Sequence, residues 1–391
     1  MEQEQGKVIF FGKHTLRAPV LFASYRLGDC PGAGLRFLPW DMTETEALLI
    51  NAYDFTRPKF RSILNDGWHP ATHLHFTNKP ILIDSGAYYF LKNTRMEGIT
   101  PETILEIELR SQADVGVVLD HPFPPDATDK AKRIDTTIRN TEAMLKLLGK
   151  QKAAMELMPV VHGHTPQAIR GCLQRIRRLV ETYGTGEIAR VGIGSVAPLA
   201  QHGNAHLAVD IIYTVRKQLP EAHIHCFSMG SALLMLLAFY CGADTVDSQS
   251  WILSAAFKLA QLPGHYVVRM ARREYKTEDE FRESMARFGK RLKRLADEEG
   301  FFVKDWTTGE RLDIRSKSVL HQYVHSLVDI RSNENIHNRA CHNLWVYNFE
   351  VRQARQALAE GRFEQFVENR LANTRYKKVF EYAKEKKQKR K

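Results

Sequence analysis

The chain has 391 residues, 43% of them hydrophobic and 26% charged, which is typical of a globular protein with room for one large domain and a smaller one. Its formal net charge of +11 suggests a polyanionic partner. The longest apolar run, Ala232 to Tyr240, is too short to span a bilayer, and the start "MEQEQGKVIFFG" has no signal-peptide pattern. The five scattered cysteines include no CxxC pair. This pattern predicts a protein of the reducing cytoplasm without a disulfide framework.

Short, often β-branched apolar runs recur along the first 250 residues and predict buried strands. They are Ala18–Ala23, Ala47–Ile50, Ile81–Ile83, Val115–Leu119, Leu157–Val161, Ile188–Ile193, Ala222–Phe227 and Ala243–Val246. Helix-length segments separate most of them, and two begin with a Thr-Pro pair, at Thr100 and Thr165, that is typical of a helix start. This alternation favours an α/β fold, with a closed (β/α)8 TIM barrel first and an open doubly wound sheet second.

We place the barrel strands in residues 1–262. The stretch 263–335 has no barrel unit and is expected to form an appended helical subdomain, inserted before a closing helix at 336–372. No further folded domain is expected, and residues 373–391 form a basic tail. Because Arg375–Lys391 carries nine Lys and Arg against two Glu, the tail is typical either of a solvated, disordered end or of a nucleic-acid contact.

The predicted strands end on polar residues, at the edge where barrels collect their chemistry. In chain order, the third to eighth runs end in Asp84, Asp120-His121, His162-Gly163-His164, Gly194-Ser195, Ser228-Met229-Gly230 and Asp247-Ser248. One aspartate in such a place is usually a helix cap or turn residue, but three at matching positions favour an active site. Crowded carboxyl groups suit acid/base and nucleophilic work, as in retaining glycosyl transfer.

Eight motifs, taken together, resemble the tRNA-guanine transglycosylase superfamily, whose members replace a guanine base by a 7-deazaguanine without breaking the nucleic-acid backbone. The motifs are "RAPVLFAS", "ALLINAYDF", "ILIDSGAYY", "VGVVLDHPFPP", "PVVHGH", "VGIGSVAPL", "IHCFSMGSALLMLLAFYCGADTVDS" and "HNLWVYNFEVRQARQALAEGRFEQF". Each motif alone is weak, whereas their order and spacing are specific. The resemblance therefore implies a pentosyltransferase on a TIM barrel.

The resemblance also implies roles for residues at the strand ends. Asp247 would be the nucleophile, Asp84 the general acid/base, and Asp120 a hydrogen-bond partner of the purine edge. The other expected base contacts are Ser85, His162, Gly163, Gly194, Ser195 and Met229. Gly194 and Ser195 would act through their backbones, and Met229 is more typical of packing. His162 replaces the family's glutamine, and an imidazole cannot offer the donor and acceptor of an amide.

Family members usually carry a zinc site, a CxCxxC motif plus a histidine, just before the closing helix, and this chain departs from that pattern. His342 takes the histidine position, but "GERLDIRSKSVLHQYVH" upstream has no cysteine. Cys341 and the histidines at 321, 325 and 337 are the remaining candidates, and a tetrahedral site needs four well-placed ligands. We therefore expect neither a metal nor another cofactor.

Missing zinc ligands, the lack of an added RNA-binding domain and the basic tail make the chain most similar to the DNA-modifying, DpdA-type branch. This similarity implies that DNA is the substrate, with 7-cyano-7-deazaguanine replacing guanine and with accessory proteins of a modification system as candidate partners. A tRNA substrate is the alternative. No membrane partner is expected.

Two rival interpretations belong to other functional classes. A metal-dependent barrel hydrolase would use His162, His164, His223, His225 and Asp247 as ligands. A non-catalytic nucleic-acid binder would perform no base exchange and would tolerate loss of the Asp247 carboxylate.

Overall fold

The computed structural model describes residues 6–27, 38–65, 69–91, 98–151, 155–184, 186–201, 203–264, 266–329 and 335–389. The chain divides into two compact units. The first comprises Met1–Leu27, Glu46–Ser248 and Ala354–Lys391, and the second comprises Gly28–Thr45 and Gln249–Gln353. The domain boundaries at 262, 335 and 372 stay a prediction. Cys30 lies outside the described residues, and the four described cysteines are buried and form no disulfide with one another.

The first unit begins with an antiparallel hairpin and continues with a parallel barrel. The hairpin strands are β1 (Val8–Phe11) and β2 (His14–Arg17). The barrel strands are β3 (Val20–Ser24), β4 (Ala47–Asn51), β5 (Ile81–Asp84), β6 (Val115–Val117), β7 (Glu156–Met158), β8 (Val160–Val161), β9 (Arg190–Ile193), β10 (His223–Cys226) and β11 (Thr245–Ser248). All eight predicted strand regions are confirmed.

The sheet closes at a proline. Its strand order is β7-β6-β5-β4-β3-β11-β10-β9-β8, and the two end strands, β7 and β8, are consecutive pieces of one chain segment interrupted at Pro159. β7 pairs with β6 and β8 pairs with β9, while the Pro159 carbonyl accepts a 2.8 Å hydrogen bond from Gly192 N. The result is a nearly closed barrel, which confirms the predicted (β/α)8 fold.

Helices connect the strands of the barrel. They are α1 (Pro58–Asn65), α2 (Pro70–His73), α3 (Pro101–Ser111), α4 (Lys130–Lys150), α5 (Pro166–Tyr183), α6 (Val196–Gln201), α7 (Ala205–Gln218) and α8 (Ala232–Cys241). The Thr100 and Thr165 side chains cap α3 and α5, as predicted. Every residue of α8 is buried, which accounts for the long apolar run. No helix among the described residues is long and apolar enough to cross a membrane.

The second unit has its own hydrophobic core. Its elements are α9 (Ser250–Ala256), β12 (Leu259–Leu262), β13 (Tyr266–Arg269), α10 (Glu278–Glu299), β14 (Val303–Lys304), β15 (Arg311–Leu312), α11 (Lys317–Leu327) and the greater part of α12 (Ile336–Ala359). Phe288 and Leu292 of α10 are buried together with Trp345 of α12. The Thr277 side chain caps α10 by accepting from Glu280 N at 3.1 Å.

The two helices that follow α12 belong to the first unit. The predicted closing helix is two helices, α12 and α13 (Phe363–Leu371), because Gly361 between them adopts the left-handed backbone (φ +66°) that ends a helix. The predicted basic tail contains a third helix, α14 (Lys377–Gln388). Phe380 of α14 is buried, with its ring centroid 4.8 Å from that of Tyr240. The described part of the tail is therefore a packed helix.

Three lysines of α14 are paired with carboxylates of the same unit. Lys384 Nζ lies 3.0 Å from Glu368, and Lys386 Nζ lies 2.8 Å from Asp210. Lys387 Nζ lies 3.7 Å from Glu364. Part of the tail's positive charge is thus already balanced within the protein, which reduces what the tail can offer to a nucleic acid.

We expect Phe380→Ala to lower the free energy of unfolding by about 3 kcal/mol, since truncating a buried phenylalanine leaves a cavity. Urea unfolding of the full chain measures this change. Lys378→Ala, which changes an exposed residue of the same helix, is the matched control and should shift stability by less than about 0.5 kcal/mol. Equal stability of the Phe380→Ala variant and the parent protein would contradict the packed arrangement.

Candidate active site

A pocket lies at the carboxyl ends of β5, β6, β9 and β10, in the first unit. It contains about 480 Å³ of space between atoms, part of it open to solvent. Its lining residues are Asp84, Ala87, Tyr88, Leu91, Asp120, Pro122, Gly194, Ser195, Ala197, Pro198, Phe227 and Ser228. Four predicted site residues, Asp84, Asp120, Gly194 and Ser195, therefore lie in one pocket.

Asp84 is the last residue of β5 and is half-buried. Burial, together with the negative charges of Asp120 and Asp247, raises the pKa of its carboxyl group from 3.8 to about 8. A hydrogen bond from Gly86 N to Oδ2, 3.1 Å long, opposes this shift without cancelling it. The carboxyl group therefore carries a proton at neutral pH and can donate it.

Asp247 is buried on β11, behind the pocket wall. Its Oδ1 accepts a 2.6 Å hydrogen bond from the backbone N of Ser228, which lines the pocket. The side chain of His225 approaches the same oxygen, with Nε2 at 3.4 Å. Because the Asp247 charge contributes to the raised pKa of Asp84, the two carboxyl groups interact electrostatically.

Asp120 and Ser195 are linked by the buried ring of His162. Phe123 N donates to Ser195 Oγ at 3.0 Å, and the same oxygen lies 2.9 Å from His162 Nδ1, within hydrogen-bond distance. His162 Nε2 then faces Asp120 Oδ2 at 2.8 Å. This second contact is close but is not aligned as a hydrogen bond. His162 thus lies behind two lining residues and is not itself part of the lining.

The two glycines of the "GIG" motif make room for aromatic rings. A Cβ at Gly194 would come within 2.3 Å of His162 Cε1, and a Cβ at Gly192 within 2.3 Å of Phe227 Cε2. Any side chain at either position would displace a ring. Gly194 is therefore required because a side chain there would collide with His162. Gly192 is required in the same way because a side chain there would collide with Phe227.

The remaining predicted contacts lie outside the pocket lining. Ser85 is buried, and its Oγ donates to Asp120 Oδ1 over 3.4 Å. Gly163 is buried beside His162. Met229 is only 1% exposed, and Phe227, two residues earlier, lines the pocket where a base-contacting residue was expected.

Sequence analysis missed the aromatic members of the pocket, Phe227 and Tyr88. Phe227 immediately follows β10, the position shared by the polar strand-end residues, and this signal could have identified it. Tyr88 lies in the motif that contains Asp84, and its side chain is 58% exposed at the pocket. Flat rings of this kind suit stacking on a purine.

Two lining serines adopt left-handed backbone conformations. Ser195 has a φ of 62° and Ser228 a φ of 56°. Each such residue costs about 1–3 kcal/mol, and residues of this kind cluster at binding and catalytic sites. Both turns follow directly after barrel strands, so each places its backbone strain at the pocket.

Comparison with known proteins identifies the family. The family model of queuine tRNA-ribosyltransferase (TGT) matches residues 10–284, which is more than half of the chain. The chain belongs to the queuine tRNA-ribosyltransferase family.

Curated relatives of this TGT-family chain come from archaea. It is 28% identical over 216 residues to the tRNA-guanine(15) transglycosylase of Archaeoglobus fulgidus, covering 54% of this chain and 42% of that one. It is 26% identical over 314 residues to the tRNA-guanine(15) transglycosylase of Thermococcus kodakarensis, and the match covers 77% of this chain and 45% of that one. It is 28% identical over 387 residues to the tRNA-guanine(15) transglycosylase of Methanothermobacter thermautotrophicus, and the match covers 94% of this chain and 49% of that one. The chain thus spans less than half the length of these relatives.

The second unit does not fit the zinc site expected in the TGT family. Both ring nitrogens of His342 are engaged, Nδ1 with Tyr323 Oη at 2.7 Å and Nε2 with the Gln261 carbonyl at 2.6 Å. Burial lowers the pKa of His342 to about 4 and raises the pKa of the Cys341 thiol, whereas zinc requires a thiolate. In the described part of the chain no group of three or more His, Cys, Asp or Glu residues could hold a metal ion.

The structure also bears on the rival hydrolase interpretation. The histidines it would use as ligands make other contacts: His162 contacts Ser195 and Asp120, and His223 and His225 both contact Thr245. Within the residues that the structure describes, these side chains do not form a metal-binding cluster. The TGT-family match favours base exchange over this interpretation.

Proposed function

We propose that this chain exchanges a guanine base in a nucleic acid through a covalent aspartyl-glycosyl intermediate. The observation that carries the proposal is a pair of carboxyl groups: Asp84 lines the pocket with its pKa raised to about 8, and Asp247, behind the lining, is close enough to contribute to that shift. An acid that is protonated at neutral pH, beside a second carboxyl group, is what retaining glycosyl transfer requires.

In the first half of the reaction, a carboxylate oxygen of Asp247 forms a bond to the anomeric carbon as the bond to guanine breaks. Asp84 donates its proton to the departing base. In the second half, Asp84 takes a proton from the incoming base, which attacks the anomeric carbon and releases Asp247. The nucleic-acid backbone is not cut, and both carboxyl groups return to their starting states.

Asp120 and the Gly194-Ser195 loop are proposed to bind the base. The Asp120 carboxylate accepts hydrogen bonds from the purine edge, and its position is supported by Ser85 and His162. Phe227 and Tyr88 stack on the base faces. We assign no direct base contact to Met229 or His162, because both are buried outside the pocket lining.

tRNA is the substrate that the relatives favour, because each of the three named proteins is a tRNA-guanine(15) transglycosylase. We therefore propose tRNA in place of the DNA predicted from the sequence. That prediction relied on missing zinc ligands, on the lack of an added RNA-binding domain and on a basic tail, and the described part of that tail is a packed helix with paired lysines. DNA, 7-cyano-7-deazaguanine as the incoming base and accessory proteins remain alternatives for the same chemistry.

Incubation of the protein with radiolabelled guanine and either bulk tRNA or duplex DNA tests the proposal. We expect label in tRNA and none with the Asp247→Asn variant. Asp135→Asn changes a carboxylate that forms a surface ion pair with Arg175 and should leave labelling unchanged. Label in DNA alone would overturn tRNA as the substrate but would leave base exchange as the reaction. Label in neither nucleic acid would overturn the proposed function.

A further inference from the structure

A chain of buried polar side chains crosses the barrel core and ends at Asp247. His223 Nε2 and His225 Nδ1 each lie 2.8 Å from Thr245 Oγ1. His225 Nε2 faces Asp247 Oδ1 at 3.4 Å. Each of these four residues is less than 5% exposed. The proposed mechanism gives no role to Thr245, His223 or His225. Burying polar side chains is costly unless they are paired, so their burial here calls for an explanation.

The contacts allow the protons of this chain to be assigned. Thr245 has one hydroxyl proton, so it can donate to one imidazole and must accept from the other. With one proton on the His225 ring, donation from Thr245 to His223 would place that proton on His225 Nδ1, and the lone pair of Nε2 would face the carboxylate oxygen of Asp247. The opposite direction avoids this repulsion. His223 then donates to Thr245, Thr245 donates to His225 Nδ1, and His225 Nε2–H points toward Asp247.

The charge state of His223 is consistent with this direction. Burial, followed by the positive charge of Arg190, lowers the pKa of His223 well below its ordinary value. The ring is therefore neutral and carries one proton. His223 Nδ1 has no hydrogen-bond partner among the described residues, so placing the proton on Nε2 satisfies the contact with Thr245.

Aromatic rings hold His225 in place on two sides. The Phe22 ring meets it edge-on with centroids 5.6 Å apart, and the Phe227 ring does so at 4.5 Å. Phe22 lies on β3, where its backbone pairs with Asp247 of β11. The imidazole therefore has little freedom to rotate, and its proton pattern is set by Thr245.

We propose that Thr245 and His225 are positioning residues for Asp247: the Thr245 hydroxyl fixes the His225 tautomer, and His225 Nε2–H joins Ser228 N–H at Oδ1, leaving Oδ2 to attack the sugar. This inference rests on the proposed function of Asp247 as nucleophile. Ser228 N holds Oδ1 at 2.6 Å, and no hydrogen bond of the described residues reaches Oδ2. Catalytic contacts are often long before substrate binds, and we expect the 3.4 Å contact to shorten in the complex.

The kinetic test uses Thr245→Val, which keeps the side-chain shape and removes the hydroxyl. Single-turnover base exchange at saturating substrate should slow roughly 10–100-fold, the cost of a misplaced reacting group, while KM stays within about twofold. Thr245→Ser restores the hydroxyl and should recover most of the rate. Thr141→Val is the matched control, because Thr141 is buried on α4 and donates only to its own helix at the Thr137 carbonyl.

A second measurement reads the tautomer without activity. Histidine-selective ¹⁵N labelling, with His225 assigned from the spectrum of His225→Phe, should show Nε2 protonated and Nδ1 unprotonated in the parent protein. Thr245→Val should shift this pattern toward a mixture of tautomers, and Thr245→Ser should preserve it. A protonated Nδ1 in the parent protein would overturn the inference.

The outcomes separate this inference from the proposed function. Exchange that is lost in Asp247→Asn but unchanged in Thr245→Val would overturn the positioning role and leave the function standing. Equal slowing in Thr245→Val and Thr245→Ser would indicate a packing effect and would also overturn it. No exchange by the folded parent protein would overturn the function and, with it, the role of His225.

Discussion

Replacing Asp247 with asparagine should abolish the covalent adduct and slow guanine exchange by roughly 10⁴–10⁶-fold, as loss of a catalytic nucleophile does. The amide is a poor nucleophile, while its size matches that of the carboxylate. Denaturing gels of the protein with labelled tRNA, run after the incoming base has been withheld, measure the adduct. The parent protein should retain label and the Asp247→Asn variant should not.

The design separates chemistry from folding. Asp247→Asn should keep its thermal unfolding transition and its affinity for free guanine, because the base pocket is formed by other residues. Asp135→Asn should form the adduct at the parental yield. Full adduct yield in Asp247→Asn would remove Asp247 from the nucleophile role and leave Asp84 as the candidate.

Asp84→Asn should slow exchange by about 10²–10⁴-fold, the contribution of a positioned general acid. The pKa of about 8 also sets a pH dependence, because Asp84 can donate a proton only while it is protonated. As pH rises through about 8 the carboxyl group ionises, and release of guanine in the parent protein should slow. The residual activity of the Asp84→Asn variant should lack this alkaline decline, since an amide does not titrate in this range.

The same shift predicts a change in stability. The native protein binds the Asp84 proton up to about pH 8, whereas the unfolded chain releases it near 3.8, so the native state holds the extra proton between these values. Stability of the parent protein therefore declines as pH rises through this window. The thermal midpoint of Asp84→Asn relative to the parent should rise across the window and level off above about pH 8. A constant difference between the two proteins would show that the pKa of Asp84 is not raised.

Local residue patterns were sufficient to predict the barrel strands. Alternation of β-branched runs with helix-length segments predicted all eight, and the Thr-Pro pairs marked the starts of α3 and α5. These features are readable because a buried parallel strand and a helix start each impose their own composition over a few residues. The polar residues at the strand ends could be assembled into one site for the same reason, since parallel strands bring their carboxyl ends to one edge.

Sequence patterns were thus enough to predict the barrel and to bring Asp84, Asp120, Gly194 and Ser195 to one pocket. Tertiary structure alone decided that Phe227 and not Met229 lines it, that His162 lies behind Asp120, and that the basic tail contains a packed helix. It also decided the raised pKa of Asp84 and the hydrogen-bonded chain that ends at Asp247. These properties depend on which side chains meet across the barrel and on how much water they lose, and neither is encoded in any one stretch of sequence.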